Sequence, residues 1–276
     1  MFLTKHHGLG NDFLVALDER HDTPLTVDGE LARRVCDRRL GVGADGLIHG
    51  AAPTAAQQAD GIDVVMHLFN SNGSRAEMSG NGIRCLAQAV ARSRGLDDTV
   101  VVATTDAGRR SLHLSAGPDP VTARVQVDMG PARPGPHVPE PVAEYLPEQH
   151  ATVDMGNPHL VVLVDDPAAI DLSTEGAWLE QQFADGVNVE YVHVAPDRAS
   201  MTLRVWERGA GVTQACGTGA CAAARSAQQW GLIDDRVQVR MPGGDAEVVL
   251  GPDDAVTLIG PAVFIAEVVL DPAVAR

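Results

Sequence analysis

Two short segments of this 276-residue chain occur twice, in the same order and at nearly the same separation. No other feature limits its fold as strongly. Gly10-Asn11-Asp12-Phe13, followed by the apolar run Leu14–Leu17, returns as Gly156-Asn157-Pro158-His159 followed by Leu160–Leu163. Further along, Ser79-Gly80-Asn81-Gly82 opens an Ala- and Cys-rich stretch, and Cys216-Gly217-Thr218-Gly219 opens another. Asn70 stands nine residues before Ser79; Glu207, with Arg208 beside it, stands nine before Cys216. Chance can supply one such match. Four in register point to duplication and to two similar halves.

Strand-like runs alternate with helical patterns in both halves, so the fold class is mixed α/β (α+β). The strands are expected at Leu14–Leu17, Asp63–Phe69, Val100–Val102, Val125–Val127, Leu160–Val164, Val187–Val192, Met201–Trp206 and Val263–Ala266. Helical spacing covers Asp28–Arg39, with Asp28 as its cap, and Gly80–Arg94, Leu172–Phe183 and Gly217–Trp230. Pro131 to Pro147 holds six prolines and almost no periodicity, and reads as a connection between the halves.

Composition removes several classes of function. With 21 Lys+Arg against 37 Asp+Glu the net charge is −16, the wrong sign for nucleic acid or an anionic membrane. No apolar run approaches a membrane span, and the first residues lack the long apolar core of a signal peptide; a soluble, cytoplasmic protein is expected. Lys5 is the only lysine, a poor candidate for a pyridoxal-phosphate Schiff base, and no Gly-Lys-Ser/Thr phosphate loop exists. The four cysteines form no C-x-x-C pair, which argues against zinc and thioredoxin-like chemistry.

The two helix openings carry the chemistry. A small polar residue followed by Gly-x-Gly leaves backbone N–H groups pointing out of a helix start, a site for a carboxylate or phosphate. The same field is expected to lower the pKa of a thiol at position 216. Two such openings acting on one anion suit removal of a proton from one face of a carbon and delivery to the other, with the donors stabilising an enediolate. Each element also has an ordinary reading. Gly-x-Gly before a helix is a common turn, Cys36, Cys85 and Cys221 sit at apolar positions as core thiols, and Asn70–Gly73 is a turn sequence. His159, next to a proline, is equally balanced between structure and chemistry. Gly41-Val42-Gly43-Ala44-Asp45-Gly46 fits G-x-G-x-x-G, but it follows a charged helix instead of opening one, so a dinucleotide reading is weak.

Taken together, these residues resemble the diaminopimelate epimerase family, pyridoxal-independent enzymes that interconvert LL- and meso-diaminopimelate in lysine and peptidoglycan synthesis. The resemblance spans the chain. It runs through Gly10–Phe13, Gly41–Leu47, Phe69–Ser74, Ala76–Cys85, Met155–His159, Gly186–Val189 and the long string Glu207–Cys221. It implies two similar halves, 1–117 completed by 262–276 and 118–261, each a curled mixed sheet around a central helix, with the active site in the cleft between them. It further implies that the backbone at Gly80, Asn81, Gly217 and Thr218 holds the carboxylate of the reacting centre. Asn70, Asn157, Asn188, Glu207 and Arg208 would hold the distal end, Glu207 taking the ammonium and Arg208 the carboxylate. Asn11 would line the same site and His159 would support it. Cys216 would be one acid/base thiol. No cofactor or metal is implied, the partner is a small amino acid, and a homodimer is compatible with the family.

The other acid/base thiol of the family falls on Ser79. A serine hydroxyl is a far weaker acid than a thiol, and a helix dipole supplies only modest help. Three readings stay open: an epimerase with Ser79 in the cysteine position, a racemase or one-base dehydratase acting on another amino acid, and an impaired amino-acid-binding paralogue. The intact set at Asn70, Asn188, Glu207 and Arg208 favours diaminopimelate in all three.

Overall fold

The computed structural model describes residues 1–274. Two compact units divide it: Met1–Val127 with the chain from Gly260 onward, and Asp128–Ile259.

In chain order the first unit contains β1 (Phe2–Gly8), β2 (Asn11–Leu17), α1 (Gly29–Cys36), β3 (Gly46–Ala51), α2 (Ala55–Ala59), β4 (Val64–Asn70), β5 (Arg75–Ala76), α3 (Gly80–Ser93), β6 (Thr99–Thr105) and β7 (Gly108–Ala116). β8 (Thr122–Pro131) leads into the second unit. There follow β9 (Arg133–Pro134), α4 (Glu140–Tyr145), β10 (His150–Asp154), β11 (Pro158–Leu163), α5 (Leu172–Gln182), β12 (Asn188–Val194), β13 (Ser200–Glu207), β14 (Gly211–Thr213), α6 (Gly217–Gln229), β15 (Arg236–Met241) and β16 (Gly244–Leu250). β17 (Ala255–Val269) begins in the second unit and returns to the first.

The pairings repeat, strand for strand. In the first unit β1/β2 is antiparallel, β2/β3 parallel, β3/β4 and the short β4/β5 antiparallel, β4/β6 parallel and β6/β7 antiparallel. In the second, β10/β11, β11/β12, β12/β13, β13/β14, β13/β15 and β15/β16 follow the same series. The duplication read from two motifs is therefore a duplication of topology. In the first unit β8 pairs with β7 and β17, and β17 with β1, so eight strands close into a barrel without free edges.

Each sheet curls around one helix. Gly80 to Ala91 of α3 and Gly217 to Ala224 of α6 are buried without a break, the latter on Gly, Ala, Thr and Cys alone, the former with Ile83, Leu86 and Val90 packed among its small residues. The strands supply the complementary alternation; β15 reads exposed–buried throughout, with Val237, Val239 and Met241 inward. The outer helices cover the opposite face. Leu31, Ala32, Val35 and Cys36 of α1 join Leu3, Leu14, Ala16 and Leu47, while Leu172 and Leu179 of α5 join Leu160, Val162, Val189 and Tyr191.

Three expectations need adjusting. The first outer helix ends at Cys36, short of Arg39, because Asp37 turns extended (ψ 124) and its carboxylate accepts the N–H groups of Arg39 and Leu40. The Pro131–Pro147 stretch is more than a connection. β9 pairs with β10, and α4 buries Val142, with Leu146 four residues on, in the second core. The first unit extends past 117, to Val127, since Val125 and Val127 pair with Leu114 and Leu112 of β7 and complete the wall of its barrel.

Candidate active site

Ser79 and Cys216 are the N-cap residues of the two central helices, with nearly identical backbones (φ −140, ψ 124 and φ −124, ψ 116). Ser79 Oγ accepts the N–H of Gly82 at 3.0 Å, and Cys216 Sγ accepts that of Gly219 at 3.4 Å. Ile83 and Ala220 then donate to the carbonyls of the cap residues, at 2.9 and 3.0 Å. The amides of Gly80 and Asn81, and of Gly217 and Thr218, lie between cap and ladder at the positive end of each helix dipole. Such a mouth binds a carboxylate.

Around Ser79 the first unit builds a directional hydrogen-bond relay. Arg84 Nη2 donates to Asn81 Oδ1 (2.8 Å), Asn81 Nδ2 to Asn11 Oδ1 (3.3 Å), and Asn11 Nδ2 to Asp45 Oδ2 (2.8 Å). A guanidinium only donates and a carboxylate only accepts, so both amides are oriented from the two ends. Asp45 is braced by Arg38 at 2.8 Å, and Arg38 also reaches Asp12, which pairs with Lys5 at 2.9 Å. The glycine-rich loop before β3 thus serves to carry Asp45; Lys5 Nζ donates to its Gly43 carbonyl at 2.6 Å. Asn70 closes β4 opposite Gly46, with its side-chain amide donating to Ser74 Oγ at 3.0 Å.

The second unit solves the same problem with different residues. His159, fully buried, faces Glu190 Oε1 with Nδ1 (2.7 Å) and Asn157 Oδ1 with Nε2 (3.0 Å). Glu190 is also fully buried, and its Oε2 has no hydrogen-bond partner. Burial pushes its carboxyl up in pKa, while His159 pulls it back. Because Asn157 Oδ1 only accepts, the Nε2 contact holds that amide with its oxygen toward the ring. Asn188 is used as scaffold, donating to the Pro158 carbonyl at 2.8 Å and accepting the Arg208 N–H at 2.9 Å. Arg208 is exposed and anchored on the Asp185 carbonyl at 3.1 Å. Glu207, the last residue of β13, accepts from the Thr213 hydroxyl and hydrogen-bonds Cys216.

That last contact reverses one expectation. The Cys216 thiol is held well above the ordinary range, first by burial and then by the neighbouring carboxyls of Glu207 and Glu190. Thr218 and the Gly219 N–H pull the other way and lose. Glu207 is itself pushed up, by desolvation and by Glu190. Burial and the two carboxyls therefore favour the neutral thiol at Cys216 over the thiolate. Cys36, Cys85 and Cys221 are buried core thiols, the first two pushed up to about 12 mainly by burial.

The sequence matches the diaminopimelate epimerase family over residues 3–134 and 151–265. It is 41% identical over 280 residues to the diaminopimelate epimerase of Microcystis aeruginosa, covering 94% of this chain and 95% of that one. The chain belongs to the diaminopimelate epimerase family. The enzyme of the same name from Desulfitobacterium hafniense is 39% identical over 98% of both chains. A hydroxyproline epimerase from Agrobacterium vitis, solved with trans-4-hydroxy-L-proline, shares the fold with a TM-score of 0.69, 17% identity, and coverage of 100% and 94%. Within a diaminopimelate epimerase fold, Asp45, Arg84 and Glu190 are the functional candidates that sequence reasoning passed over. Each was marked only by a charge standing in an otherwise small or apolar segment.

Proposed function

We propose that this protein interconverts LL- and meso-diaminopimelate, inverting one α-carbon by taking its proton on one face and delivering another on the opposite face. The observation that carries this reading is the repeated mouth: the same capping geometry at Ser79 and Cys216, each directly ahead of two backbone amides suited to a carboxylate. Membership of an isomerase family agrees with it.

In the reaction, the amides at Gly80, Asn81, Gly217 and Thr218 hold the carboxylate next to the α-carbon. Loss of the α-proton moves charge onto that carboxylate as an enediolate, where fixed N–H dipoles stabilise it more than the ground state. Cys216 exchanges the α-proton on one face, as the thiol when it donates and as the thiolate when it accepts, and Ser79 occupies the opposite position. Asn11, Asn70, Asn157, Asn188 and Arg208 orient the rest of the molecule, with Arg208 matched to the distal carboxylate. Glu207 is shared between the distal ammonium and the Cys216 thiol, and His159 holds Asn157. The acidic chain suits a cytoplasmic enzyme of small zwitterions, and a homodimer is the assembly we propose.

Ser79 favours one alternative, a one-base lyase or racemase acting on another amino acid. The two are separated by the α-proton. Cys216→Ala should abolish wash-out of the α-proton of diaminopimelate in D₂O; retained wash-out would remove Cys216 from the reaction. Turnover of another amino acid with none of diaminopimelate would select the alternative.

A further inference from the structure

In the second unit the hairpin from β13 to β14 turns through Arg208 and Gly209. Glu207 pairs with Gly211, and the Ala210 N–H donates to the Glu207 carbonyl at 3.0 Å, closing a β-turn. Gly209, third residue of that turn, lies in the left-handed region (φ 74), which glycine adopts without strain. The N–H groups of the two central residues have no partner inside such a turn. Arg208 and Gly209 are both exposed, so water is at hand for each. Side chains from two other elements take them instead.

Asn188 of β12 accepts the Arg208 N–H at 2.9 Å. Glu180, in the last turn of α5, accepts the Gly209 N–H with Oε1 at 3.1 Å and the Trp206 indole N–H with Oε2 at 2.6 Å. A carboxylate has an acceptor on each side and no donor, so this one residue holds both the end of the strand and the turn that follows it. It does so where a carboxylate gives α5 nothing, since the last turn of a helix is the negative end of its dipole. Two glycines permit the approach. A Cβ on Gly176 would stand 2.5 Å from Trp206 Cβ, so the strand lies directly on α5. A Cβ on Gly186 would come within 2.9 Å of Arg208 Cδ and 3.4 Å of Glu180 Cγ, so the arginine stem and Glu180 pack on the same stretch of backbone. Beyond that stem, Arg208 Nη1 donates to the Asp185 carbonyl at 3.1 Å.

We propose that Glu180 is a positioning residue: it fixes the turn from Glu207 to Ala210 so that Arg208 is aimed at a carboxylate, and thereby sets the preference for amino acids that carry a second carboxylate. This rests on the reading of Arg208 as the partner of the distal carboxylate of diaminopimelate. Without the clamp the hairpin still forms, but the exposed turn samples other conformations, and a bound ligand must bear the cost of ordering it.

Amide hydrogen exchange and calorimetric titration test this on the intact protein, the first with no ligand present. Glu180→Gln keeps the shape but has one acceptor oxygen, so it retains one of the two bonds; Glu180→Ala retains neither. Exchange in peptides spanning Trp206 to Gly211 should speed up about fivefold or more in Glu180→Ala, with Glu180→Gln between it and the parent. The dissociation constant for meso-diaminopimelate should rise about fivefold in Glu180→Gln and further in Glu180→Ala. In Arg208→Ala protein, adding Glu180→Gln should change that constant by less than about twofold, since no guanidinium is left to aim. A role confined to filling space would leave Glu180→Gln identical to the parent in both measurements, and that result would overturn the proposal. So would unaltered exchange in folded Glu180→Ala protein, or an equal loss of affinity with and without Arg208. Failure of the parent to bind diaminopimelate would instead sink the functional reading, and the exchange rates alone would then decide whether Glu180 holds the turn.

Discussion

Gly219 lies directly over Glu190: a Cβ at residue 219 would stand 2.5 Å from Oε1 of that carboxyl. The second glycine of the Cys216-Gly-Thr-Gly mouth is therefore a packing requirement of the buried acid beneath it, and the helix opening and the Glu190–His159 pair form one unit.

From this contact Gly219→Ala should destabilise the protein by about 1–3 kcal/mol, the usual cost of overpacking a tight core. It should also displace Cys216, whose Sγ accepts the Gly219 N–H. Urea unfolding reads the first effect and α-proton exchange the second. Gly82→Ala meets Ser79 Cβ at 3.2 Å and Ile48 at 3.3 Å, a milder approach, and should cost less. Equal costs would contradict the assigned role of Glu190.

Asp45→Asn tests the relay at the first mouth. Asp45 can only accept from Asn11, whereas an asparagine there leaves the Asn11 amide free to reverse. Asp45 is exposed, so the expected loss is that of a single hydrogen bond, about 1 kcal/mol or roughly a fivefold rise in KM for diaminopimelate, with kcat little changed. A fall confined to kcat would place Asp45 elsewhere in the reaction.

Stability should fall in mild acid because of His6. Burial lowers its pKa to about 4, against the hydrogen bond that His6 Nδ1 makes to Gln88 Oε1, which works to raise it. Between pH 6.5 and 4 the unfolded chain binds a proton that the folded chain refuses. The stabilisation is complete above pH 6.5 and declines as pH drops through that window, by about 3 kcal/mol in all. In denaturant titrations at pH 7 and pH 4.5, His6→Asn should narrow the difference. An unchanged difference would assign the acid sensitivity to other groups.

Much of this was legible in the sequence, because it was local. The two mouths, the strand after each Gly-Asn and the repeat itself are written in contiguous residues, and Asp28 and Ser79 cap the helices their positions announce. The raised thiol at position 216 was not legible. Cys216 at a helix start reads as an acidified thiol, and only tertiary structure brings Glu207 from β13 and Glu190 from β12 against it. Arg84 in an Ala-rich helix and Glu190 among valines looked like breaks in an apolar pattern; Pro261 of β17 and His159 of β11, which hydrogen-bond them, lie far along the chain. The glycine-rich loop at Gly41–Gly46 imitated a nucleotide motif, while its structural role is to present Asp45 to Asn11.

Two-sided proton transfer on diaminopimelate, proposed above with Cys216 and Ser79 as its acid/base positions, leaves its mark on the α-proton. Proton NMR of LL- and meso-diaminopimelate in D₂O, with the protein as it stands and with Ser79→Cys, tests it most directly. Loss of the α-proton signal with interconversion of the two isomers is expected, about tenfold or more faster in Ser79→Cys because a thiolate forms more readily than an alkoxide. Silence from both proteins, with both folded, would contradict it.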